Sequence, residues 1–298
     1  VELLRQGRVY LEYSGIFYLL HTTKDVTFSQ TFQQSSIPKR TLHSVNDLFS
    51  GSSIKTANPA DFTFTNYLVN EVSTHQNKPL ELLLGYNGAS LKAFNLYFVY
   101  ADYSPAVYYK IENCVFTNVT FNMPAKGMMT VTFSGQGTKL TRVNGVFPGS
   151  DSSYDSAPVF QYTQQYIVTI SGDILPGILG VSLELQNNIS WIKNSTVHNT
   201  LLVTNSSNTI FQSNFVINDR VLGGNVTQYI DEVSKDKLMT WQENTPVRIQ
   251  AGLIAKLFDI NLPYCSFTNR PVFGDLFSQS YDFRLMQSPN DLTTYFTY

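Results

Sequence analysis

The chain has 298 residues, a net charge of −2 and only 14% charged side chains, while 14% are aromatic, including 21 Phe and 18 Tyr. Basic and acidic residues are 12 and 11 up to Asp155 and 8 and 11 beyond it, which excludes a basic nucleic-acid grip in either half. No apolar run approaches the ~20 residues of a membrane helix, so no membrane span is expected. The length suits two domains of ~150 residues, and so little charge predicts a surface largely covered by partner copies.

Strand patterns dominate from the start. Residues 8–13 alternate, turn at Ser14-Gly15 and resume at Ile16-Phe17-Tyr18. Residues 62–65, 130–133, 166–170 and 247–249 alternate with period two, as half-buried antiparallel strands do. Only residues 79–84 and 235–241 have a helical pattern. Two long polar segments, 29–61 and 193–225, are predicted to be functional or partner-contacting loops. Gly135-Gln136-Gly137 is expected to be a hairpin turn. Residues 144–158, rich in Gly, Ser, Pro and Asp, are expected to link a first domain, 1–150, to a second, 159–298.

The two-domain reading rests on internal similarity. Cys114-Val-Phe116-Thr-Asn returns as Cys265-Ser-Phe267-Thr-Asn, 151 residues later, and these hold the only two cysteines. Ser14-Gly15 is echoed by Ser171-Gly172, and Val26-Thr27-Phe28 by Ile189-Ser190-Trp191. Thr41-Leu42-His43 is echoed by Thr196-Val197-His198. Thr65-Asn66-Tyr67 with Glu71-Val72-Ser73 is echoed by Thr227-Gln228-Tyr229 with Glu232-Val233-Ser234. The order is kept, with offsets that loop insertions would produce. On this reading Cys114, Phe116, Cys265 and Phe267 are core residues at equivalent positions, a domain apart and too far to form a disulfide. Thiol-reduced, cytoplasmic assembly follows.

Residues that carry chemistry are scarce. The four histidines make no metal-ligand spacing, and there is no Cys-x-x-Cys, no Gly-x-Ser-x-Gly elbow and no phosphate-binding glycine loop before a helix. No metal, cofactor or catalytic residue is expected, and the chain is not read as an enzyme. The five Asn-x-Ser/Thr sequons are what an Asn-, Ser- and Thr-rich chain yields by chance.

Taken in order, Arg5 and Arg8 at the first strand, a Lys39-Arg40 loop with Asn46-Asp47, the Cys-x-Phe-Thr-Asn strand and the run from Val131 to Gly137 resemble the major tail tube protein of tailed bacteriophages. The resemblance is closest to the siphovirus type with two tandem tube domains, and covers Arg5 to about Arg284. It implies a mainly β fold: two tandem domains, each an antiparallel sandwich or half-barrel with one short helix. It implies trimeric, pseudo-hexameric rings stacked into a tube in the virion tail, assembled in the host cytoplasm. The partners implied are further copies of the chain, tail terminator and baseplate or tip proteins, and a tape-measure protein and double-stranded DNA passing through without specific binding.

Six domains lending four strands each give 24 strands and a backbone diameter of ~48 Å at ~4.8 Å spacing and ~40° tilt, wide enough for duplex DNA. Lysine and arginine along such a bore would hold phosphates and slow the DNA, so a neutral to acidic lumen is expected. Glu12, Glu112 and Glu184 are its candidate residues. Lys39, Arg40, Asn46, Asp47, Asn205 and Asn208, in the two long segments, are candidates for ring stacking. The alternative is a β-sandwich adhesion or carbohydrate-binding module on a virion or cell surface.

Overall fold

The computed structural model describes residues 7–37, 52–70, 74–85, 91–100, 107–125, 127–149, 159–160, 166–192, 202–204, 209–230, 244–251, 258–273, 277–286 and 292–297. In chain order the elements are β1 (Arg8–Tyr13), β2 (Ile16–Leu20), β3 (Thr22–Ser29), β4 (Phe32–Ile37), β5 (Ser52–Ala57), β6 (Ala60–Tyr67), β7 (Val69–Asn70), α1 (Thr74–Leu84), β8 (Phe94–Val99), β9 (Val107–Pro124), β10 (Thr130–Gly137), β11 (Lys139–Asn144), β12 (Val159–Phe160), β13 (Tyr166–Ile170), β14 (Asp173–Ile174), β15 (Ile178–Trp191), β16 (Leu202–Thr204), β17 (Thr209–Gln212), β18 (Phe215–Tyr229), β19 (Thr245–Ala251), β20 (Phe258–Phe273), β21 (Phe277–Leu285) and β22 (Phe296–Thr297). The protein is mainly β, with one short α-helix among the described residues.

One hydrogen-bonded path runs β14-β13-β19-β20-β21-β18-β15-β9-β10-β6-β3, and β2-β1-β8 joins it at β9. Two runs of strands correspond along it. The first is β2-β1-β8-β9-β10-β6-β3 and the second β14-β13-β19-β20-β21-β18-β15, each strand holding the same place in chain order within its run. The tight turns opening the runs match as well. Ser14 and Gly15 have φ of 53° and 80°, and Ser171 and Gly172 have 54° and 88°, the left-handed pair that a two-residue hairpin needs to follow strand twist. Cys114 on β9 and Cys265 on β20 both lie at the end of the segment that pairs with β8 or β19, where pairing with β10 or β21 begins. Both thiols are buried and neither forms a disulfide.

β9 serves two sheets. Its first part pairs with β8 and β11, and its second with β10 and β15. The change comes at Asn113, whose φ of 53° is a left-handed value that asparagine tolerates. The Asn95 side chain accepts from the Asn113 N–H at 3.0 Å, while the Asn113 amide donates to Thr138 Oγ1 and the Ser213 carbonyl. Between the sheets lies the core, where Leu11, Leu96 and Ile111 face Phe62, Phe64, Phe116, Phe121 and Phe133. α1 closes one end with buried Leu80, Leu82, Leu83 and Leu84.

Several expectations change. α1 begins five residues before the predicted 79–84 and contains Pro79, which removes one helical N–H donor. The second expected helix, 235–241, lies outside the described residues, as do the Thr41-Leu42-His43 and Thr196-Val197-His198 echoes. Residues 135–137 are not a turn: Gly135 and Gly137 belong to β10. The echo of Val26-Thr27-Phe28 is Val181-Ser182-Leu183, not 189–191. Val26, Thr27 and Phe28 pair with Phe64, Thr63 and Phe62, while Val181, Ser182 and Leu183 pair with Val226, Asn225 and Gly224 at the corresponding places. Alternation has period two, so a slip of eight residues keeps every side chain on its face and is invisible in the sequence.

The long segments are not plain loops. The first holds the β4–β5 hairpin and the second holds β16, β17 and most of β18. The two segments meet in one sheet, β16-β17-β5-β4, through a parallel pair, Thr209–Lys55 and Ile210–Thr56. The start of the expected linker is packed: Phe147 lies against Tyr10, Phe17, Tyr97 and Tyr108 with ring centroids 4.5–5.8 Å apart.

Candidate functional site

The feature that stands out is one face of the sheet. In β3, β6, β10, the second part of β9, β15, β18, β21 and β20, eight consecutive strands of the path, alternation sends apolar side chains to the core and polar ones to the opposite face. β10 is representative: Val131 and Phe133 are buried, and Thr132 and Ser134 look outward. β21 repeats it, with Tyr281, Phe283 and Leu285 inside and Ser280, Asp282 and Arg284 outside.

Short polar side chains knit this face together. Thr65 and Thr132 hydroxyls are 2.9 Å apart, and Thr63 and Ser134 hydroxyls 3.1 Å. Where β15 meets β9, Glu184 Oε1 accepts from Asn118 Nδ2 at 3.0 Å and from Gln186 Nε2 at 2.9 Å. Further on, Asn225 donates to Ser280 and Asp282, and Arg270 Nε lies 3.1 Å from Asp282. Gln136 Nε2 donates to Asp61 at 2.9 Å. Asp61, Glu184 and Asp282 therefore put acid on a face whose bases include Arg270 and Arg284.

An amide-lined cleft of about 500 Å³ opens here between Asn118, Gln136, Gln186, Asn188 and Asn218. Buried Asn187 forms its floor, donating to the Phe116 carbonyl at 3.0 Å and accepting from Arg220 Nε at 2.8 Å. Amides can hydrogen-bond a passing polar group but supply no nucleophile or general base at neutral pH. Burial pushes the Cys114 thiol well up and that of Cys265 to about 12, so neither is a ready thiolate. Among the described residues no three His, Cys, Asp or Glu side chains gather as a metal site.

The three acidic candidates do not share a face. Glu184 lies on the polar face just described. Glu12 and Glu112 lie across the core, on the outside of the β2-β1-β8-β9-β11 layer. There Glu12 accepts from Tyr97 Oη at 2.8 Å and Asn95 Nδ2 at 2.9 Å, and Glu112 pairs with Lys110 at 3.2 Å. The kink at Asn113 divides β9 between the two layers, so alternation counted straight through it cannot give facing. Lys39, Arg40, Asn46, Asp47, Asn205 and Asn208 lie outside the described residues. Cys114, Phe116, Cys265 and Phe267 flank the core, with Phe116 buried and Phe267 packed 6.1 Å from Phe283. Sequence reading missed Asp282 and Arg270. The alternation of residues 278–285 carried the signal for the first, but nothing local predicts their pairing.

A long antiparallel sheet with one apolar and one polar face is the architecture of a structural β protein. The chain belongs to the Bacteriophage Baseplate Tube Protein Family, whose pattern matches residues 1–298. No curated protein matches it at a significant level. The protein is thus a phage tail or baseplate tube-family component with a structural role. The family description points to the baseplate, where the sequence resemblance pointed to the tail shaft; the tube is common to both. No described helix is long and apolar enough to cross a membrane.

Proposed function

We propose that three copies of the chain close into a pseudo-hexameric ring, and that this ring forms part of the tube at the baseplate end of a phage tail, with the polar face turned to the bore. The carrying observation is the unbroken ladder from β3 to β20, which has four strands in each of the two corresponding runs. Three chains contribute 24 strands, which at ~4.8 Å spacing and ~40° tilt close at a backbone diameter of ~48 Å. The two runs then act as tandem tube domains, which makes half of the domain contacts intramolecular. Short hydroxyl and amide side chains, with the acids Asp61, Glu184 and Asp282, suit a passage through which DNA and a tape-measure protein slide without being held. The lumen assignment narrows to Glu184; Glu12 and Glu112 belong to the outer layer. The sheet joining β4–β5 to β16–β17 is the proposed stacking contact to the neighbouring ring or end protein.

Negative-stain microscopy of the purified protein should reveal rings or short tubes with a central channel. Dispersed monomers at every concentration would overturn the reading. Phage carrying Glu184→Lys should assemble but eject DNA more slowly; unchanged ejection kinetics would remove Glu184 from the bore.

A further inference from the structure

The eight-strand ladder ends in two open edges. β3 pairs only with β6 among the described residues, so no described strand lies beside its other edge. β20 pairs with β21 through residue 273, whereas its pairing with β19 stops at Cys265. No described strand flanks residues 268–273 on the side away from β21. Pro271 lies in this stretch, and a residue without an N–H is typical of an edge strand.

The chain already contains the contact that these edges lack. β15, which corresponds to β3, pairs antiparallel with the second part of β9, which corresponds to the open stretch of β20. Its register is Ser182–Asn122, Leu183–Phe121, Glu184–Thr120 and Gln186–Asn118. The neighbouring ladders carry this register across. Glu184 pairs with Gly223 and Ser29 with Asp61 at corresponding places, so Ser29 stands where Glu184 stands. Thr120 pairs with Thr132 and Arg270 with Ser280 at corresponding places, so Arg270 stands where Thr120 stands.

Resting on the ring reading above, we propose that β3 of one chain adds antiparallel to the free edge of β20 in the next copy, with Ser29 opposite Arg270, Phe28 opposite Pro271 and Thr27 opposite Val272. The occupant of each edge is a second copy of this chain, and its register is the one that β15 and β9 already hold. Such a contact is heterologous, each chain giving one edge and receiving the other, so repetition closes a ring and leaves no edge exposed. Ser29 and Arg270 fall on the polar face, which continues across the joint.

Cysteine pairing tests the register. Residues directly opposite in an antiparallel pair have Cβ atoms ~4.5–5.5 Å apart, near disulfide reach, while a shift of two residues opens the gap to ~7–8 Å. The double variant Ser29→Cys/Arg270→Cys, oxidised in assembled rings, should give inter-chain bands that end at three chains. Thr27→Cys/Arg270→Cys should give none, and Thr120→Cys/Glu184→Cys, which bridges within one chain, sets the oxidation conditions. Rings in the micrographs without the Ser29–Arg270 bridge, or with the shifted pair bridging instead, overturn the register and leave the tube reading intact. A chain that stays monomeric, with the internal pair bridging, overturns both.

Discussion

Arg220 Nη2 donates to the carbonyl oxygen of Leu83, 2.8 Å away, and so ties the long strand β18 to the end of α1, 137 positions earlier in the chain. The same guanidinium reaches the Leu84 carbonyl at 3.4 Å and Asn187 Oδ1 at 2.8 Å. The last carbonyls of a helix have no partner within it and carry partial negative charge, so a cation here satisfies both needs. It also ties α1 to β15 and β18 of the second run.

Replacing Arg220 by Met keeps most of the packing volume and removes these donors. Charge-assisted hydrogen bonds contribute about 1.5–3 kcal/mol, so Arg220→Met should lower unfolding stability by that order in urea or thermal denaturation. A loss under about 0.5 kcal/mol would mean that water serves the carbonyls equally well.

Gly135 is required by contact, not by turn geometry. A Cβ there would stand 2.3 Å from the Phe62 ring and 2.3 Å from the Val115 carbonyl oxygen. The backbone oxygen cannot swing away, so Gly135→Ala should cost about 1–3 kcal/mol through overpacking. The comparison is Gly180→Ala, another strand glycine without a left-handed φ, where a Cβ meets only the Met123 carbonyl oxygen at 3.8 Å, an ordinary contact, so the difference in midpoints reports the clash at Gly135.

The two cysteines should be chemically silent in the folded protein. Both side chains are inaccessible and their thiols titrate above the usual range. A thiol reagent at pH 8 should label neither Cys114 nor Cys265 until denaturant is added, after which both react. Rapid labelling of either without denaturant would place that thiol outside the core.

Acid should loosen α1 before the sheet. Burial works against charge on both Lys78 and Glu81, but their hydrogen bond of 2.8 Å and charge attraction, joined at Glu81 by Lys92, together outweigh it, and the Glu81 carboxyl lies below its ordinary 4.5. A depressed folded-state pKa means stability that is complete above 4.5 and lost as pH falls through the folded value. Glu81 is 39% exposed, so screening keeps the effect small. Protection factors of the amides in 78–84, which correct for the intrinsic slowing of exchange in acid, should fall below pH 4.5 in the native protein, and Glu81→Gln should remove that dependence.

How far the sequence was legible differs by element. The turns at Ser14-Gly15 and Ser171-Gly172 and the buried sides of β6, β10, β13 and β19 follow from local alternation and punctuation. The cysteine frame identified β9 and β20 as corresponding strands. Facing along β9 was not legible, because Asn113 turns the strand between two layers and resets its alternation. That puts Glu112 on the outer side of the β2-β1-β8-β9-β11 layer, away from Glu184. The 29–61 and 193–225 segments read as loops because β4, β5, β16 and β17 are short and pair with one another across the fold.

The sequence by itself determined a charge-poor, β-rich chain, its two similar runs and the absence of a recognisable catalytic motif, since composition, spacing and period-two patterning are local properties. Only the tertiary structure decided that the two runs share one ladder, that Glu184 meets Asn118 on its polar face, and that no described strand covers the outer edges of β3 and of residues 268–273 in β20. Pairing between distant strands depends on which backbone N–H and C=O groups come within reach, and that is a property of the folded sheet as a whole.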